Sequence, residues 1–67
     1  MKLPTYKEIK ALNNEDLKDL YWKISVININ NPTDIKVFNK LRGVTDELCK
    51  RDLAYFDGNS YFHWTGK

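Results

Sequence analysis

The stretch "LAYFDGNSYFHW", Leu53–Trp64, carries five aromatics and the only histidine of a 67-residue chain. Its centre holds two overlapping turn pairs, Asp57-Gly58 and Gly58-Asn59. Each is of a kind that closes a two-residue β-hairpin. Either turn gives the same facing, because both keep parity across the tip. Leu53, Tyr55, Phe62 and Trp64 fall on one face. Ala54, Phe56, Tyr61 and His63 fall on the other. A three-residue loop would change this pairing. A two-stranded hairpin is marginal alone and needs a backing surface. The Leu53/Tyr55/Phe62/Trp64 face is the larger and more apolar, so it is expected to dock. The rest of the chain must supply what it docks on.

Three helical patterns precede the hairpin. The first runs from Thr5 to about Leu12. Thr5-Tyr6-Lys7-Glu8 has capping-box spacing, with Pro4 just before it. Ile9 and Leu12 form a short apolar edge. Asn13-Asn14 ends this piece and offers an N-cap to the next, with Glu15 and Asp16 at its positive end. The second helix is expected over about Glu15–Asn28. Leu17, Leu20, Tyr21, Ile24 and Ile27 recur at steps of three and four and make one apolar stripe. Trp22, Val26 and Ile29 make a second stripe on roughly the opposite side. That helix is either buried on two sides, the favoured reading, or has one face for the core and one for a partner.

"ININNPT" breaks the pattern. Asn residues and Pro32 end the helix, in a link of roughly six residues. Thr33 is expected to cap the third helix, with Asp34 in its first turn. That helix is expected over Asp34 to about Arg51. Val37, Phe38, Leu41, Val44, Leu48 and Cys49 cover one arc. Lys36, Asn39, Lys40, Asp46, Glu47 and Lys50 cover the other, and Gly43 falls on this polar side. Asp46 with Lys50, and Glu47 with Arg51, are i,i+4 pairs in the favourable order.

The expected fold is α+β and mostly helical. A short N-terminal helix, two long antiparallel helices and a C-terminal β-hairpin packed on them form one small domain over residues 1–67. The expected core is Leu20, Ile24, Phe38, Leu41 and Leu48, between the long helices.

Composition narrows the function. Eleven basic and nine acidic residues give a net charge of +2. That is far from a basic arm that binds phosphates by charge alone. One cysteine, Cys49, permits no intrachain disulfide, and one Cys with one His cannot build a four-ligand zinc site unaided. A lone cysteine, with no signal-peptide pattern and no long apolar run, fits a cytoplasmic protein that does not enter a membrane. Lys greatly outnumbers Arg, and Asn and Ile are frequent, as in proteins of AT-rich genomes.

Catalytic chemistry finds no constellation. Cys49 lies on an apolar arc and reads as a structural thiol, and His63 as a surface or satisfied histidine. Gly43, Gly58 and Gly66 are isolated, so there is no phosphate-cradling loop. No catalytic residue, metal or cofactor is expected.

The expected function is that of a small non-enzymatic protein–protein interaction module. Its surplus apolar surface would dock on another protein or on a second copy of the chain. The contact residues are Trp22, Phe56, Tyr61 and His63, because one hairpin face suffices for docking while both are aromatic. By analogy from size and composition alone, such a chain could be a phage-type inhibitor or regulator of a host protein. The alternative is a winged-helix-like nucleic-acid-binding protein, with helix 34–51 as recognition helix and hairpin 53–64 as wing. Its contacts would be Lys36, Lys40, Arg42, Lys50 and Arg51. Against it stand the long link, the acids Asp46 and Glu47 among the bases, and a wing without Lys or Arg.

Overall fold

The structure, a computed structural model, describes residues 3–65. Five elements follow in chain order: α1 (Tyr6–Ala11), α2 (Asn14–Asn30), α3 (Ile35–Lys50), β1 (Ala54–Phe56) and β2 (Phe62–Trp64). The architecture is α+β and mostly helical, with the antiparallel hairpin packed on the helices, as the sequence pattern predicts.

Local chemistry sets each helix end. Thr5 Oγ1 accepts from the Glu8 amide at 3.1 Å, and Glu8 Oε1 accepts from the Thr5 amide at 3.1 Å. This is the reciprocal capping box. Asn13 caps α2 through a 2.8 Å bond from the Asp16 amide. The cap of α3 is Asp34 and not Thr33. Asp34 Oδ1 accepts from the Lys36 amide at 3.0 Å, while the Asp34 amide donates to the Asn31 carbonyl. Pro32 and Thr33 lie in that turn, so the link between the long helices is four residues, 31–34, shorter than expected. At the far end, Arg51 just beyond α3 reaches Asn14 at the start of α2. The two helices therefore run antiparallel.

The exit from α3 turns the chain straight into the hairpin. The Leu53 amide donates to Leu48 O and the Asp52 amide to Cys49 O, each at 3.0 Å. Asp52 takes φ 59°. This is a Schellman reversal with Asp in the left-handed position that Gly usually fills. Leu53 joins Leu48 in the core as the motif's apolar contact.

Ile9, Leu17, Ile24, Val37, Val44, Leu48 and Ala54 are buried. Of the expected core, Ile24 and Leu48 are fully buried and Leu20 and Leu41 are half-buried. Phe38 is 46% exposed and does not belong to it. Val37 centres the buried stripe, and Phe38 projects about 100° round the helix from it. The second stripe of α2 also faces outward: Trp22 is 58% and Ile29 74% exposed, with Val26 between them. That corrects the expectation that α2 is buried on two sides.

Gly43 is not on a free polar face. Tyr6 of α1 lies across it, and a Cβ there would collide with the ring. Tyr6 Oη donates to Asn39 O at 3.3 Å, and Lys40 Nζ sits 4.1 Å from the ring centroid. Alanine at this position gains about 1 kcal/mol of helix propensity but must displace Tyr6. A double-mutant cycle in urea should show the conflict. Gly43→Ala stabilises the Tyr6→Ala background by about 1 kcal/mol and gives no gain in the wild type. Equal effects in both backgrounds would mean that Tyr6 does not press on Gly43.

The hairpin facing is also corrected. Ala54 pairs with Trp64, Tyr55 with His63, and Phe56 with Phe62. The loop is the three-residue Gly58–Ser60. The Ser60 amide donates to Asp57 O and the Asp57 amide to Tyr61 O, each at 3.0 Å, with Ser60 at φ 66°. A turn followed by one left-handed residue is the usual three-residue hairpin. The Asp57 carboxylate selects it by accepting from the Asn59 amide at 2.8 Å and the Tyr61 amide at 3.0 Å. Ala54, Phe56, Phe62 and Trp64 therefore share one face, and Tyr55 and His63 the other.

Candidate functional site

Tyr21 on α2 is the point where hairpin and helices meet. It stacks on Phe62 (centroids 4.9 Å apart, 15° between planes) and meets Trp22 and Trp64 edge-on, each at 5.3 Å. Phe62 contacts Trp64 and Phe56 in turn, at 5.2 and 5.5 Å. Edge-on and offset pairs of this kind add to simple burial. The hairpin thus covers the half of the helix pair near Tyr21. It leaves the neighbouring half open.

The open half is a groove of about 540 Å³. Tyr21, the α3 residues Phe38, Leu41 and Thr45, and the hairpin residues Phe56 and Phe62 provide its apolar lining. Arg42 and Asp46 contribute one charge of each sign. Phe56 is 49% exposed, like Phe38 across from it on α3. Exposed aromatics lining one concave apolar surface are what protein-docking anchors look like. Phe38 and Leu41 enter this site although their periodicity assigns them to the core. The available signal was Phe38's place on the edge of its stripe, next to Arg42.

Of the four residues picked from the sequence, Phe56 lines the groove. Tyr61 is 68% exposed near the hairpin tip. Trp22 lies on the outer side of the aromatic cluster, 6.2 Å from Trp64. His63 is on the opposite hairpin face from Phe56, where it stacks on Tyr55 at 5.3 Å. Among the described residues no element buries Phe56, Tyr61 or His63, which are exposed, and α1 packs on α3. Residues 66–67 of the C-terminal tail, a second proposed cover, lie outside the described residues. The four residues do not form one patch.

His63 Nε2–H donates to Asp57 Oδ2 at 2.7 Å. That bond, followed by the Tyr61 and Asn59 amides, holds the Asp57 carboxyl below the usual carboxylate range. Asp57 is thereby committed to the turn. Cys49 is half-buried, and burial, assisted by the Asp46 charge, pushes its thiol up. A raised thiol is the reverse of what nucleophilic activation requires. Among the described residues no group of three His, Cys, Asp or Glu is placed to hold a metal ion. Nor is any helix among them long and apolar enough to cross a membrane.

The basic residues proposed for nucleic acid are divided. Arg51 is part of the fold. Its Nη1 donates to Leu12 O at 2.8 Å and to Asn14 Oδ1 at 3.2 Å, its Nη2 to Lys10 O at 2.9 Å, and its Nε pairs with Glu47 at 2.8 Å. Lys40 sits over Tyr6. Lys36, Arg42 and Lys50 are exposed. Glu47–Arg51 is the i,i+4 pair that forms; Asp46–Lys50 is not among the ion pairs of the described residues.

Compared with protein-family models, curated proteins and solved structures, the chain finds no match in any of the three.

Proposed function

We propose that this chain is a small non-enzymatic protein-interaction module, and that the groove between α3 and the hairpin is its docking surface. The observation that carries the reading is the pair Phe38 and Phe56, both half-exposed and lining one apolar groove. Folding of the isolated chain gains little from leaving them open, whereas a partner seated in the groove would bury both. A cytoplasmic inhibitor or regulator of a host protein, acting by occupying that protein's surface, fits this reading.

Nucleic-acid binding is the second reading. The four-residue link favours it, being as short as a helix-turn-helix turn. Arg51's commitment to α1 and a hairpin without Lys or Arg weigh against it.

The test compares the wild type with Phe38→Ser plus Phe56→Ser. Each substitution costs about 1 kcal/mol, since only part of a phenyl ring is buried at each site, so the double variant stays folded by circular dichroism. Used as baits in extract of the source cells, the wild type is expected to retain a stoichiometric protein partner that the variant loses. Equal capture by both would overturn the proposal. So would sub-micromolar affinity for duplex DNA at physiological salt, which would promote the second reading.

A further inference from the structure

We infer that the groove's occupant is a second copy of this chain, related by a two-fold axis that runs perpendicular to α3 in the seam between the copies, level with the point midway between Arg42 and Asp46. The inference rests on the groove being a protein-docking surface, and it names the partner.

Charge carries the inference and points to self-association. Arg42 and Asp46 are one turn apart on the exposed side of α3, and both line the groove. Among the described residues, neither is in an ion pair. A two-fold operator places the same patch on both sides, so that each contact occurs twice with its partners exchanged. With the axis between these residues, Arg42 of each copy faces Asp46 of the other. The surface is complementary to itself, where a groove of one sign would repel its copy. The reciprocal charges then lie nearest the axis and fix the register, and Phe38 and Phe56 supply apolar contacts to either side of it.

The experiment is sedimentation equilibrium from micromolar to millimolar concentration, with circular dichroism to confirm folding. The wild type is expected to dimerise. Arg42→Asp and Asp46→Arg each place like charges face to face twice, so either alone should weaken the dimer at least about a hundredfold. The double variant Arg42→Asp plus Asp46→Arg should restore it. An equal mixture of the two single variants should form a heterodimer although neither dimerises alone. Should a charge reversal unfold the chain, Arg42→Gln and Asp46→Asn replace it, with a weakening of about tenfold expected. A wild type monomeric at every concentration overturns the inference, as does a dimer indifferent to the reversals or not rescued by the swap. If the monomeric wild type still captures another protein through Phe38 and Phe56, this inference falls and the docking reading stands.

Discussion

Replacing Leu48 by Ala should cost about 2–5 kcal/mol and leave much of the protein unfolded at room temperature. Leu48 is fully buried, and removal of a buried Leu side chain loses transfer free energy and leaves a cavity as well. A domain of this size has roughly 3–10 kcal/mol in total. The site has little freedom to collapse. Leu48 belongs to the core cluster with Leu17 and Val44, and its carbonyl is tied to the Leu53 amide in the reversal that launches β1. Loss of the side chain should therefore loosen both the helix pair and the root of the hairpin. Urea titration followed by tryptophan fluorescence measures the effect, because Trp64 packs against the same cluster. A melting shift of only about 2 °C would contradict this packing, since each kcal/mol moves a domain this small by roughly 4–8 °C.

Arg51→Ala should have the second-largest effect, about 2–3 kcal/mol, and it should be concentrated on α1. A six-residue helix has no independent stability. α1 is held by the Tyr6 contact, by burial of Ile9, and by the Arg51 guanidinium clasping Lys10 O and Leu12 O. Those carbonyls lie at the helix end, where intrahelical donors run out. The guanidinium's planar fork reaches both while its Nε holds Glu47. Lysine has the charge without the fork, so Arg51→Lys should recover less than half of the loss. Hydrogen exchange gives the decisive reading. The Ile9 amide, bonded to Thr5 O, should lose protection in Arg51→Ala well before amides in the middle of α2. Uniform loss across all helices would mean that Arg51 acts on the whole fold and not on α1.

The features legible in the sequence are those whose partners lie within one helical turn. Thr5 with Glu8, Asn13 with Asp16 and Glu47 with Arg51 are separated by three or four residues, and each contact forms, whereas Asp46 with Lys50, at the same spacing, is not an ion pair of the described residues and Asp34 takes the cap expected of Thr33. Contacts across the chain were not legible. Nothing in the local sequence tells that Arg51 will reach Leu12, or that Gly43 is kept bare by Tyr6. The same boundary divides the site. Phe56 and Tyr61 are exposed, but the facing argument that selected them does not hold for Phe56, which shares its face with Phe62 and Trp64. That Phe56 shares a groove with Phe38 depended on which hairpin face turned inward. The tip residues Asp57-Gly58-Asn59-Ser60 contain several possible turns, and Ser60 adopts the left-handed conformation that the rules give first to glycine. Phe38 was misplaced for a related reason. A stripe of apolar letters shows a helix's wet and dry sides, but its edge residues go to whichever neighbour covers them.

Surface loops usually accept insertions and deletions at small cost. The tip of this hairpin should do so as well. Deleting Ser60 leaves the two-residue loop Gly58-Asn59, which can close over the same flanking residues, Asp57 and Tyr61, so that Phe56 stays opposite Phe62. The strands cannot. One residue removed between Tyr61 and Trp64 turns the residues beyond it to the other face, and Trp64 would leave Tyr21. Length is therefore free at the tip and fixed in its stems. Relatives sharing this fold can differ in the number of tip residues, but not in the number between Ala54 and Asp57 or between Tyr61 and Trp64.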